Sequence, residues 1–308
     1  MRKRVDKQPR KEDKVVSSDR YGRGVILIAT GHPYYSHMAF NLLCSLKTQS
    51  PEIEVMIVKS GNSIDQLTDD KKAMFDRIVE ASPEMLTGIY GNDPLKLKLH
   101  LNQLTPFNST LYLDVDMIWS PTKSLSDLFS KLSGVPFAIA NRGKVKEGEA
   151  LKSQWVSTVH LKEQLGLTEV YDVSSEVMYF ETEGDKVFDH ARKIYDSGIL
   201  EVKDFAGGKP DEVFIACALE AEQITLHESP WYPTYWQPHY FQDRKKVYMD
   251  EEIRDGFYAL SSGGAFVAKN IKRLYDMWAS HYYYQMGLKK EPYKLMPKSM
   301  GVPFRTKI

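Results

Sequence analysis

The chain has 308 residues, 42% of them apolar and 12% aromatic, which suits one large α/β domain with a sizeable core. Lys plus Arg equals Asp plus Glu at 41 each, so no global basic field draws in nucleic acid, and only a local patch would serve such a role. Cys44 and Cys217 both fall in apolar helical patterns without metal-ligand spacing, which reads as two buried small hydrophobes in a reducing compartment and excludes a disulfide framework.

Residues 1–20 open on Met1-Arg2-Lys3-Arg4, carry many charges and lack apolar periodicity, so they read as a flexible charged tail. Residues 21–308 then form a single domain with an aromatic-rich C-terminal part. No stretch approaches the roughly 20 apolar residues of a membrane span. The apolar run 25–29 is too short for a signal-peptide core, and a cytoplasmic location is expected.

Residues 24–30, a continuous apolar run bounded by glycines, predict a buried parallel strand. A turn at 31–35 follows. Met38, Phe40, Leu42, Leu43 and Leu46 then recur at helical spacing, with Ser36 as the expected N-cap. Residues 53–58 predict a second strand and 66–81 a second helix. This alternation implies a parallel sheet with crossover helices. Residues 95–105 carry leucines at spacings that fit a helix or a mixed segment, and 111–116 predict the next strand. A helix starts at 124–129, a strand at 136–140, and 141–154 read as a polar loop. Residues 177–180 predict a short strand, 187–195 a helix, and 203–210, with Gly207-Gly208, a flexible turn. Residues 211–222 form a helix with Val213, Phe214, Ala216, Cys217 and Leu219 at core spacing. Six aromatics crowd 231–241, a second glycine turn spans 261–264, and 269–286 predict a last helix.

The most informative segment is Leu111-Tyr112-Leu113-Asp114-Val115-Asp116, with apolar Met117-Ile118-Trp119 beyond it. Residues i and i+2 of a strand share a face, so a strand continuing to its tip projects both carboxylates together. Two such charges repel unless something positive sits between them. A hard divalent cation, Mn²⁺ or Mg²⁺, supplies that charge and takes phosphate oxygens from a substrate as well. An isolated Asp-x-Asp is usually a solvated loop. The apolar flank on both sides singles this one out as a metal–diphosphate site.

Together these segments resemble the GT-A glycosyltransferases, which use nucleotide sugars. Residues 25–29, 31–35 and 38–46 fit that family's opening strand, loop and helix. Its best signature, a basic residue, then Pro-Phe, then a strand ending in Asp-x-Asp, is similar to Lys96 or Lys98, Thr105-Pro106-Phe107 and residues 111–116. The Leu-Tyr-Leu-Asp-x-Asp pattern and the helix after it resemble the retaining, glycogenin-like branch. That branch's Asn-Ser-Gly turn is Ser174-Ser175-Glu176 here, and its Asp-Gln pair is Asp211-Glu212, so both motifs depart from the pattern. The resemblance covers residues 24–222.

It implies a GT-A fold, Rossmann-like and mostly parallel, and metal-dependent transfer of a hexose or pentose from a nucleotide-diphosphate sugar, with retention. The acceptor class stays open among a glycan, a small molecule or a modified DNA base. Asp114 and Asp116 would bind metal, and one of them, taken as Asp114, the ribose. The third ligand in related enzymes is a histidine near the C-terminal end, for which His227, His239 and His281 are candidates and His239 is favoured. Lys96 or Lys98 would pair with the diphosphate. Thr30, Gly31 and Tyr34 would contact base and ribose, with Tyr34 or Tyr35 stacking. Asp211 and Glu212 would lie at the sugar's reactive face, although Asp211 also fits a plain N-cap. Glu176 would approach the acceptor, and the 231–241 aromatics resemble a sugar or base platform. Competing readings are a nucleotidyltransferase, whose usual glycine-rich loop is absent from Gly31-His32-Pro33-Tyr34, and a non-catalytic nucleotide- or glycan-binding module.

Overall fold

The computed structural model describes residues 20–31, 34–151, 155–205, 207–226, 258–261 and 269–288. The chain enters through β1 (Tyr21–Ala29), in which Val25, Ile26 and Leu27 are fully buried. A strand this apolar must be covered on both faces. Val25 and Leu27 join one core with Met38, Phe40, Leu42, Leu43 and Leu46 of α1 (Tyr34–Gln49). Ile26 points the other way, into a second core.

After α1 come β2 (Glu54–Lys59), α2 (Asp69–Lys72) and β3 (Arg77–Glu80). The one-turn α3 (Pro83–Leu86) and the small hairpin β4 (Thr87–Gly88) and β5 (Gly91–Asn92) lead to a 3₁₀ helix, Pro94–His100, that continues into α4 (Leu101–Leu104). β6 (Phe107–Leu113) ends at the Asp114–Asp116 turn, and β7 (Met117–Trp119) leaves it. α5 (Leu125–Leu132) starts on Ser124, whose side chain accepts the Asp127 N–H at 3.3 Å. The rest is β8 (Phe137–Lys146), α6 (Thr158–Leu165), β9 (Glu169–Glu181), α7 (Asp185–Ser197), α8 (Asp211–Ala221), β10 (Ala259–Ser261) and α9 (Lys269–Gln285).

Six strands form one sheet in the order β3-β2-β1-β6-β9-β8. β3, β2, β1 and β6 run parallel, while β9 is antiparallel to both β6 and β8. The chain winds outward from β1 to β3, then returns to the other side of β1 as β6. Such a reversal opens a crevice at the carboxyl ends of the strands. Leu27 pairs with Leu113, so Thr30-Gly31 after β1 and Asp114–Asp116 after β6 emerge side by side at that crevice. The second core, between the sheet and α7, α8 and the 3₁₀ helix, includes Leu97, Leu99, Met178, Phe180, Phe188 and Phe214. Among the described residues no helix is long and apolar enough to cross a membrane.

Four local expectations are corrected. The helix expected over 66–81 is one turn followed by a strand, because Arg77 to Glu80 pair with β2 and Asp76 accepts the Val55 N–H at 2.8 Å. The 141–154 loop begins as strand, since β8 runs on to Lys146 against the first part of β9. β9 itself has 13 residues where a short strand was expected. Ser36 lies buried inside α1, which begins at Tyr34, rather than at its cap. Of the expected tail, Arg20 is described, and it donates to Asp185 Oδ1 at 2.9 Å.

Candidate functional site

β6 delivers Asp114 to the crevice, but the strand stops at Leu113 and the two aspartates sit on a turn. The Asp114 N–H donates to the Glu176 carbonyl at 2.8 Å, tying this turn to β9. β9 is irregular at that point. Met178 pairs with Ile139, yet the next β8 partner, Ala140, pairs with Ser174. Ser175, Glu176 and Val177 are thus extra relative to β8, and a bulge of this kind re-aims side chains beside a site. Ser175 and Glu176 are brought to the end of β6.

The 3₁₀ helix brings Lys98 from below. Asp93 accepts the Leu95 and Lys96 N–H groups at 3.0 and 3.3 Å, and Leu97 and Leu99 anchor the helix in the core. Lys98 Nζ then reaches Asp114 Oδ1 at 2.9 Å and Oδ2 at 3.2 Å, Ser175 Oγ at 3.3 Å and Asp211 Oδ1 at 4.0 Å. It also lies 5.3 Å from the centre of the Tyr112 ring. Burial works against the ammonium charge, but Asp114 and then Asp211 outweigh it and hold the Lys98 pKa well above the ordinary lysine value. The Tyr112 hydroxyl donates to Asp114 Oδ1, and burial followed by Asp114 pushes this phenol far above its usual range.

Asp211 is the first residue of α8, after Pro210 at the cap position, so it is not an N-cap. It is 4% exposed, and its Oδ2 has no hydrogen-bond partner among the described residues. Burial raises its pKa, Lys98 and Ser175 oppose the shift, and Asp114 adds to it. Glu212 accepts the Trp155 indole N–H at Oε2 (3.0 Å) and the Ser175 N–H at Oε1 (3.4 Å). Burial first, and Asp211 second, push its pKa up to about 7. Tyr35, in the first α1 turn and 36% exposed, has its phenol raised by desolvation and then by the charges of Asp116 and Asp114. The crevice therefore holds Asp114, Asp211 and Glu212 around the Lys98 cation, with Asp116 on the same turn acting on Tyr35, an excess of negative charge that a divalent cation would relieve.

The structure separates the two lysines. Lys96 Nζ donates to the Glu84 carbonyl at 3.3 Å and the Thr87 carbonyl at 2.9 Å and pairs with Asp196 at 3.6 Å, turned away from the carboxylates. Thr30 is buried at the end of β1, Gly31 adopts φ +78° and is exposed, and Tyr34 opens α1. His281 is exposed on α9 with Trp278 and Tyr282 rings 5.8 and 5.4 Å away. His227, His239 and the 231–241 aromatics lie outside the described residues. Among the described residues no group of three or more His, Cys, Asp or Glu has metal-binding geometry. Glu176 is buried, 3.4 Å from the Ser261 hydroxyl of β10.

Sequence reasoning missed Asp93, Tyr112, Trp155 and Ser175. Tyr112 and Ser175 stand inside the two motifs the sequence displays without a role assigned to them, and Asp93 opens an Asp-Pro step that marks a helix start. Besides capping the 3₁₀ helix, it accepts the Tyr195 hydroxyl at 2.7 Å and the Lys209 N–H at 3.0 Å, so it clamps the segment bearing Lys98 to the loop leading into Asp211. A Cβ on Gly208 would stand 2.0 Å from Asp93 Oδ1, which is why that loop position is glycine.

The sequence matches no protein-family model and no curated protein. Solved structures do match in fold. The bifunctional glycosyltransferase WbbM aligns over 90% of this chain and 52% of its own, with a TM-score of 0.55 at 10% identity. The galactosyltransferase LgtC, in complex with donor and acceptor sugar analogues, aligns over 87% of this chain and 97% of its own, with a TM-score of 0.51 at 14% identity. An active-site mutant of LgtC aligns over the same shares, with a TM-score of 0.52 at 12% identity. At such identities the likeness shows the fold, a mixed, mostly parallel sheet flanked by helices in the GT-A arrangement.

Proposed function

We propose that this chain is a metal-dependent glycosyltransferase that moves a hexose or pentose from a nucleoside-diphosphate sugar to an acceptor, with retention of configuration. The observation that carries this reading is the convergence of Asp114, Lys98, Asp211 and Glu212 from three separate elements on the crevice between β1 and β6. Open α/β sheets bind their ligands at such a point.

Asp114 and Asp116 would hold Mn²⁺ or Mg²⁺, whose chemistry there is Lewis-acid stabilisation of the departing diphosphate. Their carboxylate oxygens suit a hard cation, and the surplus negative charge around Lys98 fits one. The third ligand in this reading is His239, with His227 and His281 as the other candidates. Thr30, Gly31 and Tyr34 border the same crevice and would receive the nucleoside. Lys98 balances Asp114 before substrate arrives and can turn to the diphosphate as a point charge. Asp211, whose Oδ2 has no donor among the described residues, would accept a sugar hydroxyl. Glu212 is positioned by the Trp155 indole and the Ser175 amide. With a pKa of about 7 it is roughly half ionised at neutral pH. Its carboxylate would stabilise positive charge on the ring, or attack the anomeric carbon from the face opposite the departing diphosphate and then be displaced in turn by the acceptor hydroxyl, two inversions that give retention.

The test is release of nucleoside diphosphate from a panel of nucleotide sugars in Mn²⁺. Asp116→Ala lowers it about 10²–10³-fold while the circular-dichroism spectrum and melting transition persist. Undiminished release by that variant overturns the assignment.

A further inference from the structure

Trp155 is fixed by the loop that leads into α8. Its backbone carbonyl accepts the Lys203 N–H at 3.1 Å, and its ring lies 4.8 Å from the Phe205 ring at an interplanar angle of 45°. Phe205 exchanges backbone hydrogen bonds of 2.8 and 2.9 Å with Gly208, the position packed against Asp93. The loop that presents Asp211 therefore also orients the indole, whose N–H reaches Glu212 Oε2 at 3.0 Å.

The second donor to Glu212 is the Ser175 amide, 3.4 Å from Oε1. An indole nitrogen and a backbone amide each donate one hydrogen and accept none. An ionised carboxylate accepts strongly at both oxygens, whereas protonation of either one weakens the bond made there. The charged groups acting on this carboxyl are Asp211, its neighbour on α8, which disfavours the anion, and Lys98 from the 3₁₀ helix, which favours it. Burial is the largest effect and sides with Asp211. The indole and the β9 amide oppose both.

Resting on the transfer reading above, we propose that Trp155 is a positioning residue that keeps Glu212 a fixed, ionised carboxylate during the reaction, so that this glutamate serves as an anion beside the sugar ring and not as a proton donor.

The experiment compares the full chain with its Trp155→Phe variant, which keeps an aromatic ring beside Phe205 and removes the N–H. Nucleoside-diphosphate release gives kcat and donor KM between about pH 6 and pH 9. In the parent, kcat is expected to rise as Glu212 ionises near pH 7. In Trp155→Phe the rise is expected about one unit higher, so that kcat loses about fivefold more near pH 7 than near pH 9, with donor KM within about twofold. The Glu212 midpoint is also read without turnover, as the infrared carboxyl band that each chain loses on Glu212→Gln, and it is expected to move up by the same amount. A kcat loss equal at every pH, or an infrared midpoint that stays in place, overturns the proposal, because a merely structural tryptophan gives that result. So does a parent kcat that falls as Glu212 ionises. If Trp155→Phe does not fold, benzothienylalanine in place of Trp155, which keeps the indole outline and replaces the N–H by sulfur, supplies the same readings. A midpoint that moves while no nucleotide sugar is turned over keeps the link between Trp155 and Glu212 and removes the transfer reading instead.

Discussion

Asp93 and Asp211 are almost equally buried, 1% and 4% exposed, and their surroundings are opposite. Asp93 accepts four hydrogen bonds, two at each oxygen, from Leu95, Lys96, Tyr195 and Lys209. Asp211 faces Lys98 at 4.0 Å, is repelled by Asp114, and has one oxygen without a partner among the described residues. One carboxylate is saturated and holds two segments together. The other is left short of donors in a cluster with surplus negative charge. Buried polar groups that are fully met rigidify a fold, and incomplete ones cost stability and persist where a ligand completes them.

The largest expected effect comes from breaking the saturated side. Asp93→Ala strands two amides, a phenol and the Lys209 N–H, and urea titration should show a loss of about 4 kcal/mol. The two carboxylates that the clamp brings together, Asp114 through Lys98 and Asp211 through its loop, then lose their register, so turnover falls with it.

Next comes Glu212→Gln, which relieves the reactive side. A carboxyl whose folded pKa is raised favours the folded state least when it is ionised. The penalty is absent below its unfolded value near 4.5, grows as pH climbs, and is complete above about 7. The glutamine variant should therefore be more stable than the parent at pH 8, by up to about 3 kcal/mol, and no more stable at pH 4. Its activity should fall at both. Equal melting temperatures at pH 8 would show that Glu212 is not strained by its neighbours.

The smallest effect separates the two lysines. Lys96→Met loses two backbone carbonyl partners and should cost about 1–2 kcal/mol with donor KM unchanged within twofold. Lys98→Met should instead raise donor KM about tenfold or more, the loss of a single charge contact worth about 1.4 kcal/mol. Similar kinetics in both variants would erase the distinction between the two regions.

The legible part of this molecule is local. The run Val25 to Ala29 announces a strand covered on both faces, and α1 supplies one cover. Leu111 to Asp116 announces two acids at a strand end, and the acids do emerge at the crevice, although the strand halts one residue before them. The segment 66–81 was not legible, because Phe75, Ile78 and Val79 suit a helix or a strand and only pairing with β2 decides. β9 is longer than its apolar run suggests, since polar Ser174-Ser175-Glu176 interrupts the pattern at the bulge that borders the crevice. Trp155 gave no signal at all, lying in a polar stretch and acting on Glu212, 57 residues away.

By itself the sequence determined the alternating α/β architecture and the paired acids, since apolar periodicity and an i, i+2 spacing are properties of neighbouring residues. Only the tertiary structure decided which lysine faces those acids. Three residues per turn set Lys96 and Lys98 about 120° apart on the same 3₁₀ helix, and which side meets Asp114 depends on how Asp93 docks that helix against a loop more than 100 residues later in the chain.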